Sequence, residues 1–310
     1  MGWLFDNFLA DMRGPDFLIF YAIFAVVVLA AAYAFIAMQD TTGARPAPAI
    51  PSAVDPYELA FLRGGANEVI RTAVYSLRQK GLVEIAETTR IRASGFSAQA
   101  LNPIERAVLD AVSPAPTIAG LFADKFLRNT LERLCDGYER RLSAEQLLTP
   151  PEVRRAARLT LVVAGALLIA LAAYKVAAAA MHGRSNVGFL FMEAAVACVA
   201  MIWMFRGLNA SHASKRGKAY LAQVQFAYSG HLSAVRGEAT QGAPASAAFG
   251  GSALLMVGLF GFAILKDTPD AALAKAFAQS SGSGGDGGGS CGGGGGGGGG
   301  CGGCGGGGGD

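Results

Sequence analysis

The chain has 310 residues, 52% of them hydrophobic and only 16% charged, with a mean hydropathy of +0.36. Of its 43 glycines, 22 fall in residues 282–310, so the rest of the chain is more apolar still. That balance excludes a wholly disordered chain and argues against an ordinary soluble enzyme. The 26 basic and 23 acidic residues are too evenly matched to imply a nucleic-acid partner.

The N-terminal segment 1–16 carries Asp6, Asp11 and Asp16 against Arg13, the reverse of a signal peptide's basic start. Residues 17–38 then run for 22 positions without a charge, roughly 33 Å of helix at ~1.5 Å per residue. They read as an uncleaved transmembrane anchor. Residues 39–54 form a linker rich in proline and alanine.

Residues 55–152 form a small soluble domain, helical in its patterning. Asp55-Pro56 opens a helix, and Gly64-Gly65 closes it. Val69, Ile70, Ala73, Val74 and Leu77 follow at helical spacing, and LVEIAETTRIRA (82–93) alternates as a short hairpin would. Helix, helix and hairpin in this order resemble a winged helix. Asn102-Pro103 opens a second half with a long helix from Phe126 to about Leu142, then LSAEQLLTP where a hairpin would sit, so the domain reads as two degenerate copies of one unit. Its 40–158 region holds 16 basic and 14 acidic residues, which argues against DNA, because phosphate contacts need a basic face. A protein partner fits the domain better.

Residues 159–181 and 187–205 are two further apolar spans, and the short link between them forces an antiparallel hairpin. Residues 206–246 form a basic loop whose Tyr220, Leu221, Val224 and Tyr228 fall on one face of an amphipathic helix, which reads as resting on an anionic bilayer surface. Residues 247–265 hold no charge and are long enough for a fourth span, or for a re-entrant or interfacial segment. Arg154, Arg155 and Arg158 precede the hairpin; Arg206, Lys215, Arg216 and Lys218 follow it. By the positive-inside rule the soluble domain is cytoplasmic, and four spans then put both chain ends outside.

Lys175 and Glu193 are the ionisable side chains well inside the spans, each nine residues from Arg184 and so at similar depth on the two arms. They read as a mutually neutralising pair, with a snorkelling lysine or an ion path as the alternatives. No catalytic residues and no bound cofactor emerge: His182, His212 and His231 all lie outside the soluble domain, which leaves it without a Ser-His or Cys-His couple.

Residues 280–310 contain 22 Gly, 3 Cys, 4 Ser and 2 Asp, with no apolar side chain besides the cysteines to build a core. Cys301 and Cys304 have a metal-ligand spacing, with Cys291 as a third thiolate, a set suited to Cu(I) or Zn. A glycine-rich spacer is the plain alternative.

DPYELAFLRGG (55–65), RTAVYSLRQKGLV (71–83) and LFGFAILKDTPDAALAKAF (259–277) running into the Gly/Cys tail resemble an uncharacterised family of bacterial multi-span membrane proteins. Members of that family end in low-complexity glycine and cysteine tails, and some accompany oxidative iron enzymes that modify cysteines in ribosomally made peptides. The resemblance implies a multi-pass protein of the bacterial inner membrane, with a tail that is a substrate of a cysteine-modifying enzyme or a metal chelator. The expected fold is a mainly α membrane protein with three to four transmembrane helices, a small winged-helix-like soluble domain and a disordered tail. The expected function is non-enzymatic, exercised through the tail; the alternative is a membrane-tethered regulator or scaffold whose domain binds a protein or DNA.

Overall fold

A computed structural model describes residues 14–87, 90–94, 101–181, 188–210, 212–239, 253–267 and 270–283. Its described part is mainly helical, and three long helices stand apart from the rest. Helix α1 spans Gly14–Gln39, α7 Pro151–Met181 and α8 Gly188–Ala210. Within them, Asp16–Gln39 and Pro151–Ala177 are long and apolar enough to cross a membrane. Only 22% and 28% of those stretches are buried inside the protein. Apolar side chains such as Ile19, Val26 and Val162 therefore point outward, which a soluble core helix would not tolerate.

The three helices touch through small clusters stacked along their length. Phe17 and Tyr21 of α1 pack on Leu171 and Val176 of α7. Ala25, Leu168 and Ala197 meet in the middle, and Ile36, Ala157 and Leu161 meet with Met204 at the far end. The Tyr21 hydroxyl donates to the Leu168 carbonyl at 3.4 Å, so its one polar atom is satisfied between the helices.

The domain outside these three helices follows from local signals. Asp55 caps α2 (Pro56–Gly64) by accepting from the Tyr57 N–H at 2.9 Å. Helix α3 (Ala66–Gln79) buries Val69, Ile70, Ala73, Val74 and Leu77 on one face. Strands β1 (Val83–Glu87) and β2 (Arg90–Ala93) pair antiparallel, with Ile85 opposite Ile91. Helices α4 (Pro103–Val112), α5 (Ile118–Ala123) and α6 (Lys125–Ala144) follow, each with a side-chain cap, from Asn102, Thr117 and Asp124.

The order of helix, helix and hairpin in the first half is as the sequence predicts. The second half differs. Residues 143–150 do not form a hairpin; α6 runs on to Ala144, and Leu148 makes an isolated bridge with Ala213 instead.

Two expectations about the later chain are corrected. The apolar run 247–265 does not form a spanning helix in its described part. It forms α10 (Ala253–Phe260) and then a 3₁₀ segment, Gly261–Asp267. The eight α-helical residues rise about 12 Å before Gly261, at φ +77, ends the α-helix. Its Met256, Val257, Leu259 and Leu265 join the core formed by Leu62, Val69, Tyr75 and Leu77. A Cβ on Gly258 would stand 2.4 Å from the Pro56 carbonyl oxygen, so only glycine lets α10 lie this close to α2. Helix α11 (Ala271–Ser283) continues the same packing through Leu273, Ala276 and Phe277. Second, α9 (Lys215–Ala239) places Tyr220, Leu221 and Val224 in that core as well, so its apolar face meets the domain and not a bilayer. The folded domain thus comprises residues from 55–148, 213–228 and 253–277 of the chain.

Candidate functional site

Of the residues singled out in the sequence, Cys291, Cys301 and Cys304 lie outside the described residues. So do His182 and the side chain of His231. Among the described residues no three His, Cys, Asp or Glu side chains form a metal-binding group. The two described cysteines are separate and free: Cys135 is buried in α6, and burial pushes its thiol up to about 12, with Asp136 and Glu139 adding to the effect.

Lys175 and Glu193 stand on α7 and α8, which pack together. The Lys175 side chain is buried, and its ammonium lies over the Phe17 ring at 4.7 Å from the centroid, a cation–π contact with α1. The Glu193 Oε2 atom is buried and accepts no hydrogen bond. The aromatic partner supplied by α1 is a feature that depth counting along the α7–α8 hairpin has no means of finding.

The densest polar arrangement is elsewhere, at the joint between anchor and domain. Three passages of chain meet there: 40–46 after α1, 145–150 before α7, and 212–217 leading into the first turn of α9. The Thr149 N–H donates to the His212 carbonyl at 2.9 Å, and the Ser214 N–H to the Leu147 carbonyl at 2.8 Å. The Lys215 N–H donates to Asp40 Oδ2 at 2.8 Å, and the Arg216 guanidinium donates to the Pro46 and Glu145 carbonyls at 2.9 and 2.6 Å. Arg45 reaches Gln146 Oε1 at 2.7 Å. A Cβ on Gly217 would stand 2.1 Å from the Leu147 carbonyl oxygen. The three passages form a collar in which each is bonded to another.

His212 is brought by this collar against the α2–α3 turn. Gly65 in that turn has φ +69, and a Cβ there would be 2.6 Å from His212 Nε2. The imidazole sits 6.1 Å from the Phe61 ring. Burial lowers its pKa, and the Arg154 charge lowers it further, so it is neutral at physiological pH. A cleft of about 550 Å³ opens beside it, with Arg128, Glu132, Glu139, Ser143 and Arg154 on its walls. The histidine thus ties the start of α9 to the α2–α3 turn.

Beneath the cleft, Glu68 of α3 pairs with both Arg63 and Arg71, and Arg71 also lies 5.4 Å from the Phe122 ring centroid. Phe122 and Phe262 each meet Phe277 of α11 edge-on, at 5.8 and 5.0 Å. Arg78 binds Asp270 at 2.9 Å. These contacts fasten α11, the helix from which the cysteine tail continues, to α3 and α5.

Comparison with known protein families, with curated proteins and with solved structures finds no match to this chain.

Proposed function

We propose that this is a membrane-anchored, non-enzymatic protein that holds its Gly/Cys tail at the membrane surface, on the same side as its folded domain, as a soft-metal ligand or as a substrate for cysteine modification. The observation that carries this reading is the burial of Leu273, Ala276 and Phe277 in the domain core. Helix α11 ends at Ser283, so the tail leaves from the domain. Residues 284–310 have no apolar stretch to re-enter a bilayer.

In this reading α1, α7 and α8 are three spans, of which α8 contributes the described apolar stretch Ala195–Phe205. By the positive-inside rule the arginines and lysines at 154–158 and 215–218 support a cytoplasmic domain, and the family resemblance supports a bacterial inner membrane. The tail is then cytoplasmic, the reverse of the side implied by four spans. Its thiols meet a reducing compartment, where they stay available to Cu(I), Zn or a modifying enzyme rather than pairing as disulfides. The resemblance to bacterial proteins with Gly/Cys tails supports the same role.

The test uses the full chain beside a variant with Cys291, Cys301 and Cys304 replaced by serine. Titration with Cu(I) and Zn under reducing conditions, with intact mass measured on natively purified protein, gives thiol-dependent binding or a mass shift confined to the parent. Equal weak binding and unshifted masses in both proteins contradict the proposal.

Lys175 and Glu193 belong to this reading as a coupled pair that lowers the cost of placing charge in hydrocarbon. What supports it is that both are turned away from lipid, Lys175 buried and Glu193 half-buried, on helices that touch. A double-mutant cycle on thermal midpoints shows coupling if they interact; simple additivity removes the pairing.

A regulator or scaffold role is favoured by one observation. Between α4 and α6 a groove of about 590 Å³ exposes Phe126 (78%) and Leu134 (37%) beside Leu101, a surface suited to a protein partner. Truncation after Ser283 spares partner binding under this reading and abolishes function under the first.

A further inference from the structure

Between the domain-side ends of α1, α7 and α8 lies an open hollow of about 610 Å³. Its floor is apolar: Leu29, Tyr33 and Ile36 from α1, with Trp203 and Met204 from α8. Tyr33 and Trp203 are 67% and 81% exposed, and these are the ring types that settle at the headgroup level of a bilayer.

The rim is basic. Arg154 and Arg158 come from the first turns of α7, and Lys215 and Lys218 from the start of α9. The rim's carboxylate, Asp40, is engaged inside the protein. It accepts from the Thr42 hydroxyl at 2.6 Å, the Thr42 N–H at 3.0 Å and the Lys215 N–H at 2.8 Å. Burial alone raises its pKa, but these hydrogen bonds and the Lys215 charge outweigh burial and hold it below the ordinary value. Asp40 therefore stays ionised and offsets one of the four cations. The Lys215 ammonium and the Arg154 guanidinium donate to the Ala37 and Thr149 carbonyls at 2.6 and 3.3 Å, neutral acceptors that leave their charge uncancelled. The Lys218 side chain makes no hydrogen bond or ion pair among the described residues. Four basic side chains and one engaged carboxylate thus rim an apolar slot.

We propose that this hollow is a binding site for the headgroup of an anionic phospholipid, its phosphate against Arg158 and Lys218 and an acyl chain along Tyr33 and Trp203. The charge complementarity picks out an anion, and the apolar floor picks out one that carries a chain, because a free phosphate gains nothing from Tyr33, Ile36 and Trp203. The inference rests on the reading of α1, α7 and α8 as spans, and the experiment separates the two.

The chain contains two tryptophans, so Trp3→Phe leaves Trp203 as the sole reporter. The full-length protein is reconstituted in phosphatidylcholine vesicles containing a small, equal fraction of brominated phosphatidylglycerol or brominated phosphatidylcholine. The anionic lipid is expected to quench Trp203 more strongly. The double variant Arg158→Gln with Lys218→Gln is expected to lower that preference on the order of tenfold. Equal quenching by the two lipids in the parent protein overturns the site and leaves the spans intact. No quenching by either lipid overturns the spans as well. Loss of the preference when inorganic phosphate replaces chloride at constant ionic strength overturns the lipid assignment in favour of the free anion.

Discussion

Glu105 is almost fully buried, yet each of its carboxylate oxygens is engaged. Oε1 accepts from the Tyr57 hydroxyl at 3.0 Å and the Ser76 hydroxyl at 2.5 Å; Oε2 accepts from Lys80 at 2.6 Å and from the Asn102 N–H at 3.0 Å. Burial alone raises its pKa, but the four donors outweigh burial and hold the carboxyl below its ordinary value. Its contribution to stability is therefore complete above the ordinary carboxylate value of 4.5 and is lost as pH falls through the lower folded value. Replacement by alanine strands Lys80 and two buried hydroxyls, and is expected to cost about 2–4 kcal/mol at neutral pH. Urea midpoints taken from neutral pH into the acid range are expected to fall for the parent and to fall less for Glu105→Gln. Equal acid dependence in both proteins contradicts this account. The Asn102-Pro103 helix start was legible in the sequence, and the structure adds the capping box that Glu105 completes at the third helical position. The donors from Tyr57, Ser76 and Lys80 were not legible, because they arrive from α2 and α3 at 25 to 48 residues' distance.

At the scale of elements, the hydrophobic runs were legible and their destinations were not. An all-round apolar segment is a span or a buried core helix, and composition is the same for both. Residues 17–38 and 247–265 both satisfy the length rule, yet α1 exposes its apolar side chains while α10 buries its own. The difference lies in Gly258, which admits close contact with Pro56, and in Gly261, whose φ of +77 ends the α-helix. The amphipathic stripe of α9 was likewise correct as a stripe. Its partner is the domain, through contacts with α2 and α10 that no local pattern encodes. The collar gives a prediction at this scale. Gly217→Ala pushes a Cβ into the Leu147 carbonyl oxygen and is expected to lower stability by about 1–3 kcal/mol and to speed proteolysis between domain and anchor. The comparison is Gly137→Ala in α6, where a Cβ meets nothing within 4 Å and removal of a helical glycine is expected to stabilise by about 0.5–1 kcal/mol. Equal effects of the two substitutions would show that the collar does not join anchor to domain.

For the whole molecule, the collar and α10–α11 have one consequence in common. The chain enters the domain from α1, leaves it for α7 and returns through α9, and the described core residues after 212 pack in the domain. The central claim is that the cysteine tail shares the domain's side. It is tested by labelling with a membrane-impermeant maleimide in vesicles of known orientation, using Cys198→Ala to remove the anchor thiol. Cys135 stays silent, being 1% exposed and protonated. One variant keeps Cys291, Cys301 and Cys304; a second replaces these by serine and carries Arg140→Cys on the exposed face of α6. The account predicts that both variants label in the same vesicle orientation and are protected in the other, and labelling of the tail and of position 140 from opposite sides would contradict it.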